Sequence, residues 1–422
     1  MAPLLVYLGL GKNTHFGTAG LVALTEVLVS CASLTHLDIG DCGLEGDAGS
    51  QAVSQLACKV KSLLQLNLRG MDGLEVAEAL QASDGDALPG SCAQSHISAG
   101  ICGLTGVAGA GFAVTAVAAA CRQAGGALRH LDLSGCAGLD HAGLLALADE
   151  LSPHLQSLDM SHCMLQGGAG GRLAAALASR AEALERLNLM GNVELGTAGL
   201  AALSADTADV MRLEILNLSE CGLEGTAGGA AAATFACKSA ASLRQLQLSS
   251  NYRLGAAGMH AAAAGCRRLP SLTLLSVAVC GLQDEEGRQA VAALLGHTPV
   301  LEVLDISGNR WDQECVLTVV EDLAPSRKLT TLNIGRCALV GAEGGRIVAK
   351  ITEKLPTLRT LKLRGNYDFG AAGLVALASE LASDLDLRSL DLHDCGLEGP
   401  EAGRAAAAAV SRVCAGAAPF HT

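Results

Sequence analysis

The chain has 422 residues, of which half are hydrophobic and only 2% are aromatic, so its core must be built from leucine, valine and alanine. Its 29 lysine and arginine residues are outnumbered by 42 aspartate and glutamate residues, and the net charge of −13 disfavours binding to nucleic-acid phosphates. No apolar run approaches the roughly 18 residues that a membrane-spanning helix needs, so we expect no membrane insertion.

The first predicted element is a strand at the amino end. The opening MAPLLVYLGLGK has an apolar stretch with no basic residue before it, which favours a first strand over a signal peptide. The sixteen cysteines include no CxxC pair, and about half of them recur at one position of a repeat. This usage predicts buried, reduced thiols in a reducing compartment, and we expect a cytoplasmic protein.

One pattern then returns along the whole chain. The segment LTHLDIGDCGLEGDAG at 34–49 matches LEILNLSECGLEGTAG at 213–228 and LRSLDLHDCGLEG at 387–399, all of the form LxxLxLxxCxL. This form is the signature of leucine-rich repeats. Units of mostly 28–30 residues start near residues 5, 34, 63, 94, 128, 155, 184, 213, 243, 272, 301, 329, 358 and 387, which gives about fourteen repeats.

Each unit predicts a strand, a turn and a helix. The LxLxL segment places its leucines on one face of a short strand, glycines such as Gly46 and Gly49 suit a tight turn, and the alanine-rich stretch 170–183 predicts a helix. Because all units run in one direction, the strands must be parallel. Helices are about 10 Å wide and parallel strands only about 4.8 Å apart, so the array must curve. We predict a single α/β solenoid domain over residues 1–422, a horseshoe with strands on the concave face and helices on the convex face.

The units alternate between two kinds at the position after the strand. A structural ladder of asparagine and cysteine is therefore predicted, because asparagine can bond to loop backbone groups and a small buried thiol can fill the same place. In one kind of unit the residues are Cys42, Cys102, Cys163, Cys221, Cys280, Cys337 and Cys395, and in the other they are Asn13, Asn192, Asn251, Asn309 and Asn366, with Cys136 in place of one asparagine.

One stretch departs from the repeat, near residues 75–101. It contains ASDGDALPGSCAQSH, and Gln94, Ile97 and Ala99 replace the strand leucines of its unit. We expect an irregular insertion with an exposed loop and a weaker strand. The loop is either a tolerated surface insertion or a hinge or partner-binding segment.

Paired units of about 57 residues, one with cysteine and one with asparagine, resemble ribonuclease inhibitor and its relatives. Those relatives include the repeat domains of NOD-like receptors and the Ran GTPase-activating protein. The resemblance runs from about residue 5 to 413 and implies the horseshoe fold. It implies no particular activity, because many unrelated functions share this fold.

Polar residues recur between the strand leucines. They are Asp38, Asn67, Asp132, Asp159, Asn188, Asn217, Asp305, Asn333 and Asp391. This row is either an acidic inner surface for a basic partner or simply part of how such strands are built. Repetition at one register favours architecture.

Residues that break the repetition are better candidates for recognition. Tyrosine, tryptophan and arginine dominate interface hot spots, and units nine to thirteen carry several of them after their strands. We predict a protein-binding rim formed by Tyr252, Arg253, Arg310, Trp311, Arg336, Lys362, Arg364 and Tyr367. The alternative is that the aromatic side chains pack over loop leucines.

A search for catalytic motifs finds no HExxH, GxxxxGK[ST] or GxSxG. We therefore predict a protein that is not an enzyme and has no catalytic residue, cofactor or metal: an interaction scaffold that binds protein partners through the concave face and rim loops. By resemblance, the alternatives are a GTPase-activating regulator of a Ran-type small GTPase and the ligand-sensing repeat portion of a NOD-like receptor. Since the chain begins and ends close to repeat elements, we also expect end-to-end packing on a partner or second copy, or a place in a larger assembly.

Overall fold

The computed structural model describes residues 7–10, 13–29, 34, 36–39, 42–44, 46–60, 65–67, 96–98, 128–135, 141–266, 269–309, 311, 313–323, 328–381, 387–397 and 404. These residues fall in two compact units, Met1–Ile215 and Leu216–Thr422. The single domain over 1–422 stays a prediction. Among the described helices, none is both long and apolar enough to cross a membrane.

The first unit contains seven parallel strands that follow one another in chain order. They are β1 (Tyr7–Gly9), β2 (His36–Asp38), β3 (Gln65–Asn67), β4 (His96–Ser98), β5 (His130–Asp132), β6 (Ser157–Asp159) and β7 (Arg186–Asn188). Its described helices are α1 (Gly17–Leu28), α2 (Gly46–Lys59), α3 (His141–Glu150), α4 (Gly167–Arg180) and α5 (Gly196–Asp206). Within the irregular insertion, β4 forms with Ile97 in register with Leu66 and Leu131. The rest of 75–101 lies outside the described residues.

The second unit repeats the arrangement. Strand β8 (Ile215–Asn217) lies where the first unit ends, and β9 (Gln245–Gln247), β10 (Leu274–Ser276), β11 (Val303–Asp305), β12 (Thr331–Asn333), β13 (Thr360–Lys362) and β14 (Ser389–Asp391) pair in parallel in chain order. The helices between them are α6 (Gly225–Cys237), α7 (Gly255–Cys266), α8 (Asp284–Leu295), α9 (Gln313–Leu323), α10 (Gly341–Lys354) and α11 (Gly370–Glu380). Parallel strands alternating with helices confirm the predicted α/β repeat solenoid.

Aliphatic side chains from both layers form the core. The central strand leucines, such as Leu246, Leu275 and Leu304, are buried and lie in register, while their strand neighbours stay half-exposed. Helix α6 buries alanines and Phe235 on the same core. In these strands one side therefore faces the helices, and the other side is half-exposed.

Glycine pairs bring certain neighbouring helices into backbone contact. A Cβ atom at Gly229 of α6 would overlap the carbonyl oxygen of Gly258 in α7, and a Cβ at Gly345 of α10 would overlap that of Gly373 in α11. Each pair joins the helix of a cysteine unit to the helix of the asparagine unit that follows it. In these repeats the two-unit period of the sequence corresponds to a pair of helices whose close approach requires glycine, whereas the pair that begins at Cys280 has Arg288 at the same position.

Candidate functional site

The buried asparagines connect consecutive loops. Asn251 Oδ1 accepts hydrogen bonds from the backbone N–H groups of Cys221 and Leu223, both at 3.1 Å, and its Nδ2 donates to the carbonyl oxygens of Leu218 and Leu248 at 2.9 and 2.7 Å. The side chain is 1% exposed. One residue therefore satisfies four backbone groups, two of them around the cysteine loop of the preceding repeat. Asn192, Asn309 and Asn366 make the same four bonds in their own repeats.

The buried cysteines continue this network in the other direction. Cys280 Sγ donates to the carbonyl oxygen of Leu248 at 3.2 Å, the same oxygen that Asn251 Nδ2 reaches. Burial raises the pKa of the Cys280 and Cys337 thiols to about 12, so these groups stay neutral. Eight of the described cysteines are thiols that form no disulfide: Cys42, Cys163, Cys221, Cys237, Cys280, Cys315, Cys337 and Cys395.

At the amino end the network is thinner. Asn13 is exposed, its Nδ2 donates to the carbonyl oxygen of Leu10 at 2.6 Å, and Cys42 Sγ reaches the same oxygen at 3.0 Å. The predicted ladder residues Cys102 and Cys136 lie outside the described residues.

The polar row on the strands has a structural role. Asp305 Oδ1 accepts hydrogen bonds from the backbone N–H and the hydroxyl of Ser307, and its Oδ2 accepts one from Asn333 Nδ2 at 2.9 Å. Asn333 in turn accepts from the backbone N–H of Gly335 at 3.1 Å. Asp391 accepts from the backbone N–H and the imidazole of His393, which lowers the pKa of its carboxyl group. These side chains cap the strand ends, which favours the architectural interpretation of the row.

Two tyrosines stand exposed on the loops of the second unit. Tyr252 and Tyr367 each follow a buried asparagine and are 65% and 62% exposed. The loop of Tyr252 is held by an ion pair between Arg253 and Glu224, whose nearest atoms are 2.7 Å apart. This pairing with Glu224 raises the pKa of the Arg253 guanidinium. Two large aromatic rings thus project from loops whose backbones are fixed from below.

Trp311, which we predicted on the same rim, is instead buried with 1% of its surface exposed. Its backbone N–H donates to the carbonyl oxygen of Asn309 at 2.8 Å, the bond that Phe369 makes to Asn366 in a neighbouring asparagine unit. Trp311 therefore fills the apolar space beneath a loop that is one residue shorter. The prediction of an exposed Trp311 was wrong, because the side chain gains more from burial among apolar groups beneath the loop than it would at the surface.

Three of the predicted cationic residues lie close together on the open side. All three are exposed: Arg336, Lys362 and Arg364. A Cβ atom at Gly365 would lie 2.6 Å from Arg336 Cγ. The aliphatic part of the Arg336 side chain therefore lies against Gly365, the residue next to Arg364. Arg364 Nε is 3.3 Å from Asp394 Oδ2. The remaining predicted cation, Arg310, lies outside the described residues. Tyr367 belongs to the same repeat as Lys362 and Arg364, so an aromatic ring and three cations share one region.

Sequence reasoning missed a contact between successive loops. Gly281 has a φ of 69°, and a Cβ atom there would overlap the carbonyl oxygen of Tyr252. A Cβ atom at Gly396 would likewise overlap the carbonyl oxygen of Tyr367. After the shorter loop of Trp311, the corresponding residue is Ala338, at a φ of 51°. The glycine that follows most ladder cysteines in the sequence could have predicted this close contact between loops.

Comparison with known proteins supports a repeat architecture. A family model described as Leucine Rich repeat matches residues 30–50, 128–148, 151–171, 183–204, 326–346 and 354–378. The chain is 31% identical to the mouse (Mus musculus) NACHT, LRR and PYD domains-containing protein 12 over 62% of its own length, and it spans 24% of that relative.

Solved structures give weaker likenesses. The leucine-rich repeat-containing protein LegL7 from Legionella pneumophila is 14% identical, with a TM-score of 0.45 over 67% of this chain and 91% of that one. The mouse RP105/MD-1 complex is 16% identical, with a TM-score of 0.43 over 92% of this chain and 65% of that one.

Proposed function

We propose that this chain, which matches the Leucine Rich repeat model at six places, is a non-enzymatic module that binds other proteins through the open strand face and adjoining loops of its second unit. Among the described residues, no group of three or more histidine, cysteine, aspartate or glutamate side chains is placed to hold a metal ion. The buried thiols with raised pKa values are suited to packing rather than to nucleophilic chemistry. The half-exposed strand face and its loops are suited to recognising another protein over an extended surface.

The observation that carries this proposal is the exposure of Tyr252 and Tyr367. The chain has only three tyrosines and one tryptophan. The position directly after a ladder asparagine is exposed in the first unit too, at Val193, and two repeats of the second unit place a tyrosine there. Two large aromatic side chains are thereby held at the surface rather than in the core. Tyrosine supplies a large contact area with little conformational entropy to lose, and truncating such a residue at an interface often costs about 2 kcal/mol or more.

The spacing of the tyrosines suits a protein partner. They follow β9 and β13, four strand spacings apart, which corresponds to about 19 Å along the sheet. Half-exposed Leu274 and Val303 lie between them on the open face. A stable protein interface typically covers about 800 Å² per partner, which a surface of this length can provide.

A second candidate is the ligand-sensing repeat portion of a larger receptor. The similarity to a NACHT, LRR and PYD domains-containing protein favours it. In that case the same surface would bind the sensed ligand, and the gene would encode a nucleotide-binding module with a GxxxxGK[ST] motif. Sequencing the full transcript tests this candidate independently of any binding assay.

The test of the main proposal is affinity capture from native cells with three baits. The baits are the unchanged chain, a variant with Tyr252→Ala and Tyr367→Ala, and a control with Val375→Ala, which alters an exposed side chain on the helix of the Tyr367 repeat. We expect a protein partner that the unchanged chain and the control retain and the tyrosine variant loses, with all baits equally folded by circular dichroism. A partner retained equally by all three would contradict the proposed surface.

A further inference from the structure

In the described part of the second unit, one repeat places cations at two strand-end positions of the open face. At the last position of strands β8 to β14 the residues are Asn217, Gln247, Ser276, Asp305, Asn333, Lys362 and Asp391. Two residues further on, the same strands are followed by Ser219, Ser249, Ala278, Ser307, Gly335, Arg364 and His393. Lys362 and Arg364 thus occupy positions that are otherwise neutral or acidic, apart from His393.

Lys362 stands where a structural hydrogen bond is usually made. Its register neighbours, Asn333 and Asp391, both accept a bond from the backbone N–H two residues ahead, at 3.1 and 3.0 Å. A lysine ammonium has donors only, so it cannot supply this cap. The sequence therefore gives up a stabilising contact here and presents an exposed positive charge instead, a local conflict that is typical of functional positions.

The neighbouring cations reinforce this charge. Arg336 lies against Gly365, beside Arg364, and neither Arg336 nor Lys362 forms an ion pair with a described residue. Of the acidic groups nearby, Asp391 bonds to His393 and Asp394 to Arg364, while Asp368 is exposed beside Tyr367. Arg336 and Lys362 are therefore exposed positive charges in a chain whose net charge is −13.

We propose that Arg336, Lys362 and Arg364 bind an extended, carboxylate-rich segment of the partner protein; this rests on the proposed function of the same face. Guanidinium groups pair with carboxylates in two-pronged hydrogen bonds, and Lys362 adds a point charge at the centre. Tyr367, in the loop that directly follows Arg364, supplies the apolar contact. Long polyanions fit poorly because the rest of the chain is acidic and would repel them, whereas a short acidic segment meets only this patch.

The experiment measures fluorescence anisotropy of a short fluorescein-labelled peptide of glutamate and serine with the full chain. The same peptide with glutamine in place of glutamate is the ligand control. The variant Lys362→Asn removes the charge and restores the residue type of Asn333. The matched control Lys350→Gln removes an equivalent exposed charge from helix α10. Urea denaturation of both variants gives the second readout.

We expect the acidic peptide to bind, more weakly as salt is raised, and the glutamine peptide not to bind. Lys362→Asn should weaken binding about tenfold and raise the urea midpoint, because the strand-end cap is regained. Lys350→Gln should change binding by less than about twofold.

Equal binding of the two peptides, or equal weakening by both variants, would overturn the inference. So would a single-stranded RNA that displaces the acidic peptide, or a lowered urea midpoint for Lys362→Asn, which would make Lys362 a structural residue. A captured partner that depends on Tyr252 and Tyr367 but ignores Lys362→Asn would refute this inference and leave the proposed function standing. A partner that ignores the tyrosines would count against the function itself.

Discussion

Replacing Asn251 by alanine removes four hydrogen bonds from one buried side chain. The two N–H groups of Cys221 and Leu223 and the carbonyl oxygens of Leu218 and Leu248 all lose this partner. The Leu248 carbonyl oxygen still accepts a hydrogen bond from Cys280 Sγ, so three backbone groups lose their partner. Leaving a buried backbone group unpaired costs about 1–3 kcal/mol, and three groups at the lower limit give a loss of about 3 kcal/mol in the free energy of unfolding. The asparagine is 1% exposed, so bulk water cannot replace these bonds without a rearrangement of the loop.

The assay is urea denaturation followed by tryptophan fluorescence. Trp311 is the single tryptophan of the chain and is buried in the second unit, so its emission reports the unfolding of that unit. The matched variant Cys280→Ala removes one thiol that donates to the Leu248 carbonyl, and we expect it to cost only about 1–2 kcal/mol. If Asn251→Ala destabilised the unit no more than Cys280→Ala, the side-chain network would not hold the loops as described.

Three further predictions concern the loops and the thiols. Gly281→Ala should destabilise the second unit by about 2 kcal/mol or more, because the new methyl group overlaps the Tyr252 carbonyl. Ala338→Gly should stabilise the unit by about 1 kcal/mol, because glycine adopts the left-handed backbone at this position without strain. Thermal unfolding measures both effects, and stabilisation by Gly281→Ala with destabilisation by Ala338→Gly would refute the contact. Cys280 and Cys337, with thiol pKa values raised from 9.0 to about 12, should resist iodoacetamide at pH 8 until the chain unfolds, and rapid labelling of either in the folded protein would contradict their burial. Since unfolded thiols release their protons first, stability should fall as the pH rises from about 9 towards 12, and a flat urea midpoint across that range would argue against this.

Repetition made the ladder readable from the sequence. Asparagine or cysteine at one position of nearly every unit must serve a need that the units share, which is the unpaired backbone of the loop. The sequence alone did not reveal that Asn251 reaches the loop of the preceding repeat. That contact depends on how neighbouring units stack, which a pattern within one unit does not contain.

Single departures from the repeat were harder to interpret. Tyr252 and Trp311 both follow a ladder asparagine, and their residue types alone favour the same role. Their spacing from the asparagine differs by one residue, and this changes their burial. Tyr252 is exposed, whereas Trp311 occupies the apolar position beneath a shortened loop. The missing cap at Lys362 became visible only once the backbone bonds of Asn333 and Asp391 were known.

The central claim, that a protein binds the open face and loops of the second unit, is tested most directly by site-specific photo-crosslinking in cells. A photoreactive residue is placed at Tyr367 in one variant and at Val375, exposed on α11 of the same repeat, in another. We predict a crosslinked protein partner from position 367 and none from position 375. Crosslinks from 375 alone, or from neither position while a partner is still captured, would contradict the account.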